Sequence, residues 1–401
     1  MRDKRLAIVM LMLMTTFIGF GIIIPVLPEL IKEASPDRVE FHTGWMLSLY
    51  SLVSFIISPV WGSLSDRIGR RPVIMAGVLG FAASFLLFGV ADGSLPLMYA
   101  SRVLGGLFSG AVTSVIVAYV ADITPPDQRT KGMGLVGMSI GLGFTIGPGF
   151  GGLLSLVSKN TPFFAAAGLA LITFLLAVTK LTESLEPDRR RASHERKPSR
   201  WTAFTGPLKY LYMLALFVSL SLAGLEATLQ LFGIQRFNVT PLQVGIMFLV
   251  CGLVGALIQG GVVRRRIRKG QEPGYIAAGL LISAAGFLLL LTSHSLATAT
   301  VYLAIFGVGN ALIRPCVTSL ITQKTTVGQG VASGLSSSMD SLGRIFGPLI
   351  GTSLLSIGLP LPYAAGGALS LAALLFLFRF RSLDRASGSS AETAAVSEQR
   401  L

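Results

Sequence analysis

The chain has 401 residues, 52% of them hydrophobic and 13% charged, and a formal net charge of +14. Soluble domains carry roughly 25% charged residues, so this balance excludes an ordinary soluble domain and points to lipid. Two cysteines and three histidines leave no basis for a disulfide framework or a metal cluster.

A membrane helix needs about 20 apolar residues to cross a hydrocarbon core of roughly 30 Å. Met1–Arg5 resembles the charged start of a signal peptide. The apolar run behind it, Leu6 to Pro28, is too long and lacks a small-residue cleavage site, so a retained first helix is expected. Charge-free stretches follow at Thr43–Ser65, Val73–Ala91, Gly132–Val157, Thr161–Thr179, Val239–Val263, Gly274–Ser293 and Leu361–Phe378. Four more are apolar with isolated charges: Leu95–Val120 (Arg102), Tyr210–Gln235 (Glu226), Leu296–Gln323 (Arg314) and Gly330–Pro360 (Asp340, Arg344). Together these predict an all-α membrane protein with twelve spans, since unpaired backbone groups are not tolerated in lipid. Cys251 and Cys316 fall inside spans, while His42, His194 and His294 are expected in loops.

Threading the loops alternately leaves only Lys32, Arg38, Lys159 and Arg236 outside, and most of the 33 Lys and Arg inside. This positive-inside bias puts both termini in the cytoplasm and accounts for the charge without nucleic acid. The runs Arg189–Arg191 and Arg264–Arg266 read as topology anchors. A polar break at residues 181–206 separates a bundle of six spans over 1–180 from a second over 207–385, and residues 386–401 read as a disordered tail.

The halves repeat. Gly134-Leu135, Gly143, Gly147-Pro148 and Gly151 recur 200 positions later as Gly334-Leu335, Gly343, Gly347-Pro348 and Gly351. Parallel six-helix repeats are a transporter architecture, with substrate bound between the halves.

Between the second and third spans stands Gly62-Ser-Leu-Ser-Asp66-Arg67-Ile-Gly69-Arg70-Arg71-Pro72. Its glycines permit close approach, and its arginines beside one aspartate can form an ion-pair latch. This loop resembles the signature of the major facilitator superfamily, with Ser65 where the family has Ala. The resemblance implies two six-helix bundles and a loop that holds the outward-facing state, partly through an acid at the inner end of the fourth helix, here Asp122. In the fifth span, Gly143, Gly147 and Gly151 form one stripe with Pro148 and Gly152 beside it. Such a stripe allows close helix contact, and it resembles the signature of the family's antiporters. Gly19 to Pro28, and Arg102 with Gly105 and Gly106, resemble drug:proton antiporters. Gly224-Leu-Glu226 and Ile313-Arg314-Pro315 resemble Gram-positive quinolone and dye exporters. Thr16 stands where tetracycline exporters carry an aspartate, and Asn310-Ala311 where several multidrug relatives carry an acid.

A charge inside lipid costs several kcal/mol by insertion scales, on the order of 3 kcal/mol, so each should face a cavity. Glu226, without a basic neighbour on its own helix, is the leading candidate for proton coupling, with Arg102 and Asp340 beside it. Asp340 and Arg344 are four apart and can pair on one helix face, which would make Asp340 a poorer proton carrier. Arg314 is a further cavity charge. These readings converge on a monomeric, proton-coupled exporter of amphipathic small molecules in a bacterial inner membrane. Protons and lipids are its other partners, with no cofactor and no metal. The rivals are a dedicated exporter of one metabolite, sugar or lipid precursor, and a non-transporting receptor or scaffold. No phosphate-binding loop or nucleophile–base constellation suggests an enzyme.

Overall fold

The structure is a computed structural model and describes residues 4–125, 128–185, 203–268, 270–325 and 329–398. The arginine run 189–191 and His194 lie outside the described residues. Among the described residues, twelve long helices follow in order: α1 (Lys4–Ile23), α2 (Val39–Ile68), α3 (Arg70–Gly89), α4 (Leu95–Ile123), α5 (Arg129–Leu154), α6 (Thr161–Lys180), α7 (Leu208–Phe237), α8 (Pro241–Ile258), α9 (Glu272–Leu291), α10 (Leu296–Lys324), α11 (Gln329–Ile357) and α12 (Leu361–Glu398). Among the described residues, eleven helices are long and apolar enough to cross a membrane. The other long helix, α11, is as long as its neighbours, but Asp340, Arg344 and its serines and glycines make it more polar.

Helix ends follow local chemistry. Thr240 and Ser295 begin α8 and α10 with capping boxes, each satisfying two otherwise free N–H groups. Asn238 closes α7 in the left-handed region at φ 53°. Gly69 takes φ 107° between α2 and α3, a backbone that favours glycine. Three features differ from expectation. A short amphipathic helix, Leu27–Ala34, follows α1. His42 lies in the first turns of α2 rather than a loop, 2.8 Å from the Tyr99 hydroxyl. And α12 continues to Glu398, through the segment whose composition suggested a tail; alanines at 386, 391, 394 and 395 favour helix.

The first six helices share one apolar core built around Phe81, Phe85, Val112, Tyr119 and Phe163. The last six hold two smaller cores, one near Leu211, Ile276 and Phe380, the other near Phe232, Phe287 and Tyr363. Within each half the glycine stripe does the same job. A Cβ on Gly147 would lie 2.7 Å from the Ile18 carbonyl of α1, and one on Gly347 2.6 Å from the Leu220 carbonyl of α7. The repeat seen in the sequence is therefore a repeated close crossing, α5 on α1 and α11 on α7.

The halves meet along two seams. In one, α5 packs on α8: Gly152 faces the Pro241 carbonyl and Gly245 the Pro148 carbonyl. In the other, α2 packs on α11, with Gly44 against Thr352 and the Pro348 carbonyl. Gln235 donates to Glu40 across the same end at 3.3 Å. Further along both helices the contact stops: nothing described lies within 4 Å of a Cβ placed on Gly62, Gly134, Gly137 or Gly141. The bundles thus touch at one end and part at the other, the end that carries the arginine-rich loops.

Candidate functional site

Where the halves begin to part, charges and rings converge. The close crossing of α7 and α11 decides who pairs with whom. Along α11, Asp340 comes level with Ser219 and Arg344 with Glu226. Asp340 accepts a short hydrogen bond from Ser219 and pairs with Arg314 of α10 at 3.1 Å. Arg344 pairs with Glu226 at 3.3 Å. The expected Asp340–Arg344 pair on one helix face is not formed: Arg344 finds its acid on α7, which the glycine stripe of α11 brings close, and Asp340 finds its arginine on α10.

The Arg344 guanidinium also crosses to the first half. It lies 4.3 Å from the Phe144 ring centroid on α5 and 5.4 Å from Phe20 on α1, within cation–π range. Phe20 in turn touches Phe144 and Tyr50, each at 5.4 Å between centroids. The run of rings ends on Arg102 of α4, which is 2% exposed. That guanidinium sits 4.6 Å from Phe88, 5.5 Å from Phe85 and 5.8 Å from Tyr50. Its Nη2 donates to Ser101 at 3.2 Å, and its Nε has no hydrogen-bond partner. Among the described residues no carboxylate pairs with it, so aromatic faces carry the charge. A cavity lined by Phe20, Ile24, Leu47, Ala223, Glu226, Arg344 and Pro348 has a volume of about 10 Å3, near the space one water molecule needs.

A second cluster forms at the α2–α3 loop. Arg70 is buried and joins Asp66 to Asp122 of α4, with Nε 3.1 Å from Asp122 and Nη1 2.6 Å from the Ser65 hydroxyl. Ser65, the departure from the family pattern, is thereby part of the cluster. The Glu183 carboxylate accepts from the backbone N–H groups of Arg70 and Arg71 at 2.8 and 3.1 Å. An anion there suits the free amides and dipole of a helix start. Ser184 donates to Asp122 at 3.1 Å, Tyr119 to the Thr182 carbonyl at 2.7 Å and Arg71 to the Val178 carbonyl at 2.9 Å. The segment leaving α6 is thus pinned to the loop. Arg67 is exposed and outside the cluster; Gly62 faces open space. All of these contacts lie within the first bundle and the start of the segment that follows it. In the second half, Glu272 accepts from the Gly270 N–H at 2.6 Å and from Gln323 at 2.8 Å, a reduced counterpart in which no arginine takes part among the described residues.

Sequence reasoning missed Glu183, Ser184, Ser219 and the ring set of Phe20, Tyr50 and Phe144. Only Glu183 had a local signal: the free amides at the start of α3 require an acceptor. The pairing itself is open to a double-mutant cycle on thermal stability. Asp340→Asn with Arg314→Gln should couple by about 0.5–1 kcal/mol, a modest figure because both side chains are 38% exposed and screened. Asp340→Asn with Arg344→Gln should be close to additive; coupling there instead would restore the same-helix pair.

Two six-helix bundles closed at one end, with charges and rings at the join, define a membrane transporter of the alternating-access kind. The chain belongs to the Major Facilitator Superfamily, whose family model matches residues 9–339 and 268–399. It is similar to Multidrug resistance protein 1 of Bacillus subtilis, 32% identical over 90% of this chain and 92% of that protein. It is similar also to Quinolone resistance protein NorA of Staphylococcus aureus, 28% identical over 94% of this chain and 96% of that one. Among solved structures, the human organic anion transporter MFSD10 (TETRAN) superposes with a TM-score of 0.70 at 26% identity, covering 93% of this chain and 98% of the other. A bacterial homolog of the lysosomal transporter Spinster, in an inward-facing and unoccupied conformation, shares the fold at TM-score 0.70 and 16% identity, over 96% of this chain and 98% of that one.

Proposed function

We propose that the protein is a proton-coupled exporter of amphipathic, hydrophobic small molecules, acting as a monomer in a bacterial cytoplasmic membrane. In this reading α11 is the twelfth span, both termini are cytoplasmic, and the parted end of the bundles opens to the cytoplasm. The observation that carries it is the Glu226–Arg344 pair held against Phe20 and Phe144 at the junction of the halves. A carboxylate there can exchange its arginine for a proton, and the rings beside it accept flat apolar molecules. Support comes from the two relatives named for multidrug and quinolone resistance, which match almost end to end. The test is export of ethidium and a fluoroquinolone by cells deleted for their own exporters. Energy-dependent efflux of both is expected; no efflux of either, with normal expression, would defeat the reading.

The loop cluster, formed here with the loop end parted, shapes the α2–α3 loop into the surface against which the other half closes, and in that way serves as the conformational latch. Moving an equilibrium from 1:99 to 99:1 takes about 5.5 kcal/mol, within reach of a few charge-assisted hydrogen bonds. Asp66→Asn should cut transport and shift the population toward the conformation open at the loop end, read by cysteine accessibility at position 62. Glu183→Gln should act in the same direction more weakly, since glutamine still accepts one of the two amides. Wild-type flux and accessibility in both variants would remove the latch.

A further inference from the structure

Arg344 is the one side chain among the described residues whose charged group both pairs with an acid of one half and stacks on rings of the other. Its Nη1 lies 3.3 Å from Glu226 of α7. Its guanidinium carbon lies 4.3 Å from the centroid of Phe144 and 5.4 Å from that of Phe20. A carboxylate and two ring faces around a flat, delocalised cation make a cation box. This box already has an occupant, and the occupant is covalently part of the protein. Asp340, the acid that sequence spacing offered Arg344, is engaged by Arg314 and Ser219. The guanidinium is therefore left to the box.

We propose that Arg344 is a tethered occupant of a cation box built from both halves, and that a cationic substrate enters by displacing its guanidinium. The substrate class rests on the exporter reading; the occupancy rests on geometry alone. Two consequences follow. First, the arginine competes with every cation that seeks Glu226, so it sets a threshold of affinity and selects planar or bulky apolar cations that stack better than it does. Second, the same contacts tie α11 to α1 and α5 near the closed end. Displacing Arg344 loosens that tie at the moment substrate arrives, which couples loading to the opening of the far side.

The experiment uses the purified full-length chain and tetraphenylphosphonium at one fixed pH. Arg344→Gln should bind this cation about tenfold tighter than the wild type, because no tethered cation competes. Adding Phe144→Ala to that variant should remove the gain. Cysteines at positions 40 and 235, whose native side chains hydrogen-bond across the halves, report the closed end. Their cross-linking should fall when saturating tetraphenylphosphonium is added to protein with Arg344 intact. Equal or weaker binding by a folded Arg344→Gln protein overturns the proposal. If that variant does not fold, the cross-link titration decides: an unchanged yield at saturation overturns it. Failure here with intact dye export leaves the exporter reading standing. Gained binding without export of any compound by the wild type keeps the box and removes that reading.

Discussion

Glu226→Gln is expected to abolish pH-driven export while leaving the protein folded and able to bind substrate. Glutamine preserves the shape of the side chain and can still accept a hydrogen bond from Arg344, but it cannot take up and release a proton. Glu226 is 9% exposed, and its acid partner role is local to this junction: Arg314 is already engaged by Asp340. Breaking a buried pair by removing one charge costs about 3–5 kcal/mol in dry interiors. The loss here should fall below that, since Arg344 keeps its ring contacts. The measurement is dye efflux from proteoliposomes driven by an imposed pH gradient, beside equilibrium binding of the same dye. Flux at background with weakened but measurable binding is the expected pair of results. Full gradient-driven flux by the variant would show that Glu226 only braces α7 against α11.

The other large effect is expected from Gly147→Leu. A Cβ at 147 would meet the Ile18 carbonyl at 2.7 Å and the Gly21 Cα at 2.9 Å. Both are backbone, so no side chain can swing aside, and α1 must move. Overpacking a close-packed interior commonly costs 1–3 kcal/mol, and a rigid wall puts this site at or above about 3 kcal/mol. The displaced α1 also carries Phe20, so the ring set would be disturbed together with the crossing. Export should fall to background with a lowered melting temperature. Gly147→Ala should show the same defect in smaller measure. Gly134→Leu, on the same helix but with open space around its Cβ, should fold as the wild type does. A normally stable and active Gly147→Leu protein would mean that the stripe is only filling.

The apolar stretches, read against the thickness of a bilayer, located the helices to within a few residues, except at the C-terminal end of α12. The repeat of Gly143, Gly147 and Gly151 at Gly343, Gly347 and Gly351 pointed to paired crossings. Both were legible because they depend on local properties: hydropathy along a helix and the absence of a side chain at fixed intervals. The loop from Gly62 to Pro72 stood out through its resemblance to a family signature, and that resemblance, not local chemistry, pointed to Asp122; Arg67 of the same loop is exposed and outside the cluster. Partner choice was not. Spacing offered Asp340 to Arg344, yet the tertiary structure gave Asp340 to Arg314 and Arg344 to Glu226. Arg102 had no acid in sequence view and has none here; three ring faces from α2 and α3 hold it instead. Glu183 was not singled out from the sequence; folding places it on the amides of Arg70 and Arg71. The reason is common to all three. A single charge is compatible with any partner within a few ångströms, and which groups come that close is set by how segments distant in sequence pack.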